Sequence, residues 1–319
     1  MDKLIAKVNI TPERVLSLPS KIFLCGGAIP KDKTNKYFFL RHVIYEYINN
    51  NDEKLFNEII LAEDVQKWFS QNIYNDLLEL EEDLAGLVSV IPLFLESPGS
   101  IAELGSFILL RNIPEKLVII LNSEHSEENS FIKLGPLQRF KNLYNHQEQL
   151  LTYSWKVDPK EGISKDDLDI ITPLIFEAIK KIYKKKHSSY KFTSDITAHR
   201  VLLMCDIIDL MFVCRISEIE TCLRSILNKD ISREQLNKYL LIATKFNLIA
   251  KAHYGNANDT FYFAQSSTSN GFIDYNYYNS NLGNSRIRIK TKFIEHINKY
   301  DQKKVNARKQ WLSHRKQND

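Results

Sequence analysis

Only four cysteines occur in the 319 residues, Cys25, Cys205, Cys214 and Cys222, with no CxxC pair and no histidine at metal-ligand spacing. That scarcity argues against a disulfide framework and a structural metal, and it predicts reduced thiols in a cytoplasmic protein. Neither GxxxxGK[ST] nor GxSxG occurs, which removes the P-loop and the nucleophile elbow from consideration, and no Ser-His-Asp pattern stands out. Long apolar runs are also missing. The most apolar stretch, VLLMCDIIDLMFVC from Val201, is too short to span a bilayer and contains Asp206 and Asp209. The opening MDKLIAKVNITPERV lacks an apolar h-region, so neither export nor a membrane partner is expected.

What is present is ordinary for a soluble globular protein, with 44% hydrophobic and 26% charged residues and enough length for two domains. The net charge of +4 conceals an asymmetry: Glu46 to Asp83 holds eleven acidic residues against Lys54 and Lys67, whereas Arg286 to Asp319 holds eleven basic ones against three acidic. Different partners for the two ends follow from that split.

In the first half, apolar runs alternate with segments of helical spacing. Strands are predicted at IFLC before Gly26-Gly27, at NEIIL before Glu63-Asp64, at Val88–Leu95, at KLVIILN and at about Gln149 to Ser154. Helices are predicted at about Tyr37 to Ile48, at Tyr74 to Leu87 and from Ser100 to about Arg111. Right-handed crossovers at this spacing predict a parallel sheet of about five strands in an α/β, flavodoxin-like arrangement. Such a sheet gathers Cys25, Gly26, Gly27, Glu63, Asp64 and the segment Glu96–Glu103 at its carboxyl edge, where ligands bind. Glycines there admit a close backbone approach, carboxylates hold ribose hydroxyls, and the N–H groups around Gly99 and Ser100 suit a phosphate. Asp64 and Glu96 are the favoured hydroxyl partners, with Glu63 the weaker of the adjacent pair. Arg41 is either a phosphate partner or a solvated surface charge. Ser100-x-x-Glu103 also fits a capping box, and Gly105 suits close packing of its helix.

The stretch ESPGSIAELGSF, from Glu96 to Phe107, resembles nucleoside deoxyribosyltransferases and related N-glycosidases, whose Gly-Ser-x-x-Glu-x-Gly pattern carries a glutamate that attacks the anomeric carbon. The resemblance implies that Glu103 is the nucleophile, with Ser97 and its neighbours in the substrate site. Chemically, a carboxylate there forms a glycosyl intermediate or shields an oxocarbenium-like state.

Beyond Ser154 a Lys-rich connector, 159–190, ends the first domain, 1–158; it includes a predicted helix from Lys165 to Ile182 and the basic run KKIYKKKH. Helices at Thr197–Phe212, Ile216–Leu227 and Ser232–Asn247, then strands NLIAKAHY and DTFYFAQ joined by GNAND, give a winged-helix order over 191–319. That domain could contact nucleic acid or protein. Lys238 in its third helix and Arg286, Arg288, Lys290, Lys292, Arg308 and Lys309 in the tail are the candidate phosphate contacts, with Phe293, Tyr300 and Trp311 available for stacking.

The combination of IFLCGG, LRH, AEDV, ESPGSIAELGSF and SFIKLGP with a winged-helix region resembles effector proteins of bacterial retron anti-phage systems. The resemblance implies a toxin that degrades NAD or a related nucleotide as substrate, needs no cofactor, and is restrained in a higher-order complex with a reverse transcriptase and its branched RNA–DNA (msDNA). Glu96-Ser97-Pro98 departs from the Asp-Ser type pair of housekeeping transferases, which favours hydrolysis over base exchange. Two alternatives stay open: a phosphoribohydrolase of the lysine-decarboxylase-like type, and a nucleotide-sensing regulator without catalysis.

Overall fold

The computed structural model describes residues 10–30, 36–69, 72–126, 130–144, 147–185, 189–254, 259–265, 271–277 and 285–318. They fall into two compact units, Pro19–Lys186 and a discontinuous unit of Met1–Leu18 with His187–Asp319.

Strand β1 (Ile10–Val15) belongs to the discontinuous unit. The first unit then runs β2 (Ile22–Leu24), α1 (Leu40–Asn51), β3 (Ile59–Leu61), α2 (Ala62–Phe69), α3 (Leu77–Leu87), β4 (Ile91–Phe94), α4 (Pro98–Phe107), β5 (Leu117–Asn122), β6 (Leu150–Tyr153) and α5 (Lys165–Lys184). β2 pairs parallel with β3, β5 pairs parallel with both β4 and β6, and parallel bridges Ile22–Val90 and Cys25–Leu93 link β2 to β4. The spatial order is therefore β3-β2-β4-β5-β6, so the chain leaves β2 toward one side for β3 and crosses to the other for β4. Every residue of β4 and β5 is buried, as strands covered on both faces must be. The α/β class with parallel strands is thus realised.

Helix α5, expected as a connector, is part of this core. Ile171, Ile175, Phe176, Ile179 and Ile182 recur at helical spacing and pack with Ile22, Leu24, Phe94 and Ile120, while the lysines that made the segment look like a linker occupy its other face.

The second unit contains β7 (Tyr190–Lys191), α6 (Thr197–Met211), α7 (Ile216–Leu227), α8 (Arg233–Lys245), β8 (Ile249–His253), β9 (Thr260–Ala264), β10 (Ile273–Tyr277), α9 (Arg286–Tyr300) and α10 (Gln302–Asn318). Ser232 caps α8 by accepting from the Gln235 N–H at 3.1 Å. β8 and β9 form an antiparallel pair; most of the predicted GNAND turn lies outside the described residues, as does the opening Met1–Asn9. Sequence patterns did not reveal β1 or β10, which pair antiparallel, with β7 on the other side of β1. Pro12 breaks the donor pattern of β1 and its register shifts between Pro12 and Arg14, which masks the alternation that marks a strand. Among the described residues no helix is long and apolar enough to cross a membrane.

Candidate active site and basic surfaces

The ends of β2 and β4 meet at Cys25, whose N–H donates to the Pro92 carbonyl and whose carbonyl accepts from the Phe94 N–H, each at 3.0 Å. Gly26 has a φ of +147°, and a Cβ added there would lie 2.7 Å from the Phe94 Cβ and 3.1 Å from the Arg41 Cδ. At Gly27 it would sit 2.1 Å from the Phe39 ring. Both glycines let side chains of this chain close onto the loop.

Arg41 is one of those side chains, and it is not a surface charge: it is 1% exposed. Its Nη1 donates to the Gly27 carbonyl at 2.8 Å and to Glu63 Oε1 at 2.9 Å, while Nη2 donates to Glu63 Oε2 at 2.8 Å. This fork-to-fork geometry is the strong form of the pair. Burial alone would raise the Glu63 carboxyl, but the Arg41 guanidinium outweighs it and holds the group below its usual range. Glu63, expected to be the weaker of its pair, therefore faces the rim, and Asp64 instead joins Lys67 in a surface ion pair at 2.7 Å. The reason is local. β3 ends at Leu61 and α2 begins at Ala62, so the two carboxylates stand about 100° apart on a helix and cannot share a direction.

Glu96 turns toward α1. Its carboxylate accepts from the Leu40 N–H at 2.6 Å and the Arg41 N–H at 3.2 Å, supplying the cap that Phe39 cannot offer. Burial pushes its carboxyl up to about 7, against the pull of those N–H groups and of Arg41. These bonds engage the oxygens that were expected to hold ribose hydroxyls.

Ser97 and Ser100 cap α4 reciprocally: the Ser100 N–H donates to Ser97 Oγ at 3.2 Å and the Ser97 N–H to Ser100 Oγ at 3.1 Å. The predicted Ser100–Glu103 box does not form. With Pro98 as the first helical residue, Glu103 lies too far along α4 to reach the free amides, so the capping role is excluded for it. A Cβ on Gly105 would meet nothing within 4 Å, so close packing does not explain that glycine, and at the exposed Gly99 it would make only an ordinary contact with Ser97 Oγ at 3.8 Å.

Glu103 is half-buried near Cys25, whose thiol donates to the Phe23 carbonyl at 3.8 Å, and its Oε2 is buried with no hydrogen-bond partner. Burial is the main influence raising its carboxyl above the ordinary value; Arg41 and Cys25 pull it down, and Glu63 pushes it up. Burial chiefly, with the Glu103 charge adding, drives the Cys25 thiol well above its ordinary range. A second carboxylate, Glu81 on α3, was missed. It is 8% exposed, and burial followed by repulsion from Glu103 pushes it up to about 7. Its signal was available in the sequence, because Glu81 lies one turn from Leu77, Leu84 and Ala85 and so falls on the apolar stripe of an otherwise acidic helix.

Because the folded state holds the Glu81 proton more tightly than the unfolded chain, it binds more protons between about pH 4.5 and 7, and stability falls as pH rises through that window. Glu81→Gln is expected to flatten this dependence and to stabilise the protein at pH 7.5 by on the order of 2 kcal/mol. Urea unfolding at pH 5 and 7.5 checks it; an unchanged pH slope would contradict the placement of Glu81.

A cavity of about 280 Å³ opens beside the ends of β4 and β5, lined by Leu95, Glu96, Ser97, Pro98, Ile101, Leu121, Ser130 and Ile132. Glu96 is common to this cavity and to the Arg41 cluster, whereas Glu103 faces the Cys25 side.

The basic candidates divide. Lys238 is 7% exposed and pairs with Glu234 one turn back on α8, too enclosed for a phosphate contact. Arg286 pairs with the buried Asp206 and with Asp209, and Lys290 also pairs with Asp209 at 2.6 Å. Arg308 lies 3.5 Å over the Phe212 ring. These four are structural in the first instance. Lys292 is half-exposed, and Arg288 and Lys309 are exposed.

A chain with this parallel sheet and carboxylate-lined rim falls within a known group. The family model described as "STM3845 retron effector protein" matches residues 38–251, and the chain belongs to that family. Two Escherichia coli relatives are similar to it. "Retron Ec86 putative ribosyltransferase/DNA-binding protein" is 30% identical over 190 residues, covering 58% of each chain. "Retron Ec73 putative ribosyltransferase/DNA-binding protein" is 30% identical over 199 residues, 58% of this chain and 61% of the relative. The chain thus spans about three fifths of the length of these curated relatives.

Proposed function

We propose that this retron effector is an N-glycosidase of nucleoside deoxyribosyltransferase-like, flavodoxin-like architecture that hydrolyses NAD or a related nucleotide. The observation that carries this is Glu103, whose carboxylate presents a buried oxygen with no partner at the β2–β4 rim, where the strand order reverses. A desolvated carboxylate is a better nucleophile than a hydrated one. In the proposed reaction Glu103 bonds to the anomeric carbon as the C–N bond breaks and nicotinamide departs with the bonding electrons. Water then attacks the same carbon, loses a proton, and releases the carboxylate. Arg41 orders the rim through Gly27 and Glu63, and Glu96 fixes the α1 terminus that presents Arg41. The fixed loop at Ser97–Ser100 and the adjoining cavity would receive the base and phosphates. Ribosyl transfer in the relatives' names supports bond cleavage at a ribose. Chromatography of NAD incubated with the purified chain tests the reading; ADP-ribose and nicotinamide appearing together support it, and intact NAD counts against it.

For the second unit we propose a winged helix formed by α6–α8 with β8 and β9, docking on the retron's reverse transcriptase and msDNA. The exposed Arg288 and Lys309 support polyanion contact, as does the DNA-binding designation of the relatives. Fluorescence anisotropy with labelled msDNA is expected to show affinity falling as salt rises, and Arg288→Ala should lower the log–log slope by about 1. A salt-independent affinity would leave protein docking alone.

A further inference from the structure

Helix α6 ends on Phe212, whose φ of +72° lies in the left-handed region. Among the described residues the other non-glycine positions with positive φ all hold Asn, namely Asn72, Asn112, Asn228 and Asn247, a side chain that tolerates this backbone. At Phe212 ψ is −40° and the Val213 N–H donates to the Met211 carbonyl at 2.9 Å, which makes a γ-turn of the rare and strained form. A bulky ring at such a position points to a demand on the side chain. The ring is half-buried and carries two cations: Arg308 of α10, with Cζ 3.5 Å from the centroid, and Lys290, with Nζ at 5.8 Å. Lys290 is neutralised by Asp209, whose other oxygen accepts from Arg286, so that carboxylate is fully engaged. Arg308 has no such counterpart. It makes no hydrogen bond or ion pair among the described residues, and its Nε is buried without a partner. Burial lowers its guanidinium from the ordinary value, and no carboxylate offsets that fall. A partly desolvated cation without a counter-charge is unfavourable by itself, and an anion from outside relieves it. The two Nη groups, which are not enclosed, keep four N–H donors for that anion.

The surroundings identify the anion. Helix α10 contains no carboxylate from Gln302 to Asn318, and Lys309, next to Arg308, is exposed. Ala307 and Trp311 anchor the helix against Val213, Phe261 and Phe263, with the Trp311 ring stacked on Phe263 at 5.0 Å, so Arg308 is held at the edge of a packed face. A planar fork fixed on a ring matches the paired oxygens of a phosphodiester, and a helix with cations but no acids suits charge that repeats along a strand, of which a lone carboxylate would use only part. We propose that Arg308, seated on Phe212, is a clamp that grips a backbone phosphate of a nucleic acid strand.

The inference rests on the polyanion reading of the second unit, which the exposed Arg288 and Lys309 support without Arg308. Fluorescence anisotropy of the full chain with labelled oligothymidylate separates the two. Arg308→Ala is expected to weaken binding about tenfold and to lower the log–log salt slope by about 1. Arg308→Lys keeps the charge but neither the fork nor the stacked plane, so it should retain most of the slope and still bind several-fold more weakly. Phe212→Asn, which puts at this turn the residue found at the other left-handed positions, leaves Arg308 without its seat. It should weaken the parent chain several-fold and have no further effect in the Arg308→Ala background, the sign of one coupled unit. If the parent chain binds oligothymidylate and Arg308→Ala binds equally well, the clamp falls and the polyanion reading stands; if the parent does not bind, both fall. Full affinity in Arg308→Lys, or in a Phe212→Asn chain that merely unfolds at a lower temperature, would reduce the pair to bulk charge or to packing. Equal affinity for an oligothymidylate with uncharged methylphosphonate linkages, or full competition by polyglutamate, would likewise overturn the phosphate assignment.

Discussion

Glu103→Gln is expected to leave the fold intact and to lower nicotinamide release from NAD by about a thousandfold or more. The substitution preserves volume, and Oε2 forms no hydrogen bond that the amide would lose. It also removes the charge that opposes ionisation of Glu81, so unfolding midpoints should be unchanged or slightly higher at neutral pH. The comparison is clean because α4 is capped by Ser97 and Ser100, not by Glu103. Matched rates for the two proteins, with matched unfolding curves, would remove Glu103 from the chemistry and leave a ligand-binding regulator as the better description of the first unit.

The second large effect is on stability. Arg286→Leu is expected to cost about 3–5 kcal/mol, because it strands a carboxylate that has been taken out of water. Asp206 is 1% exposed and also accepts from the Phe272 N–H at 2.8 Å; Asp209 would retain Lys290. Burial already raises the Asp206 carboxyl, with the guanidinium opposing that rise. Arg288→Leu, two residues on and exposed, should stay within about 0.5 kcal/mol. Thermal unfolding of both variants decides the matter. Equal, small losses would mean that the Asp206–Arg286 contact does not hold α9 to α6, and would return Arg286 to the pool of phosphate contacts.

The contrast explains which parts of the molecule were legible in advance. Uninterrupted apolar runs such as LVIILN can only be buried strands, and their spacing with amphipathic segments carries the parallel order; the motif around Glu103 stands at a strand end for the same reason. Pair geometry was not legible. Arg41 was read as a phosphate partner or a solvated surface charge, yet Leu40, Val43 and Ile44 bury the same face and carry Arg41 inward with them. Asp206 and Asp209 looked like a reason against a membrane span, although two carboxylates in a helix with 13 buried residues require cations from elsewhere, and Arg286 and Lys290, one turn apart on α9, supply them. Charge counted along the sequence overstates what remains for a partner, because tertiary pairing removes part of it first.

The pairing of β1 with β10 has an implication for how the chain is made. Residues 10–15 wait for residues 273–277, so the first unit is an insertion between two parts of a sheet that closes last. Contacts of such long sequence separation form late. A ribosome that has completed Lys186 must add about ninety further residues before Tyr277 exists, roughly 5–20 s at ordinary elongation rates. For that interval the rim carrying Glu103 can be complete while the sheet of the second unit is not, so any restraint delivered through that unit is established only after synthesis has passed β10.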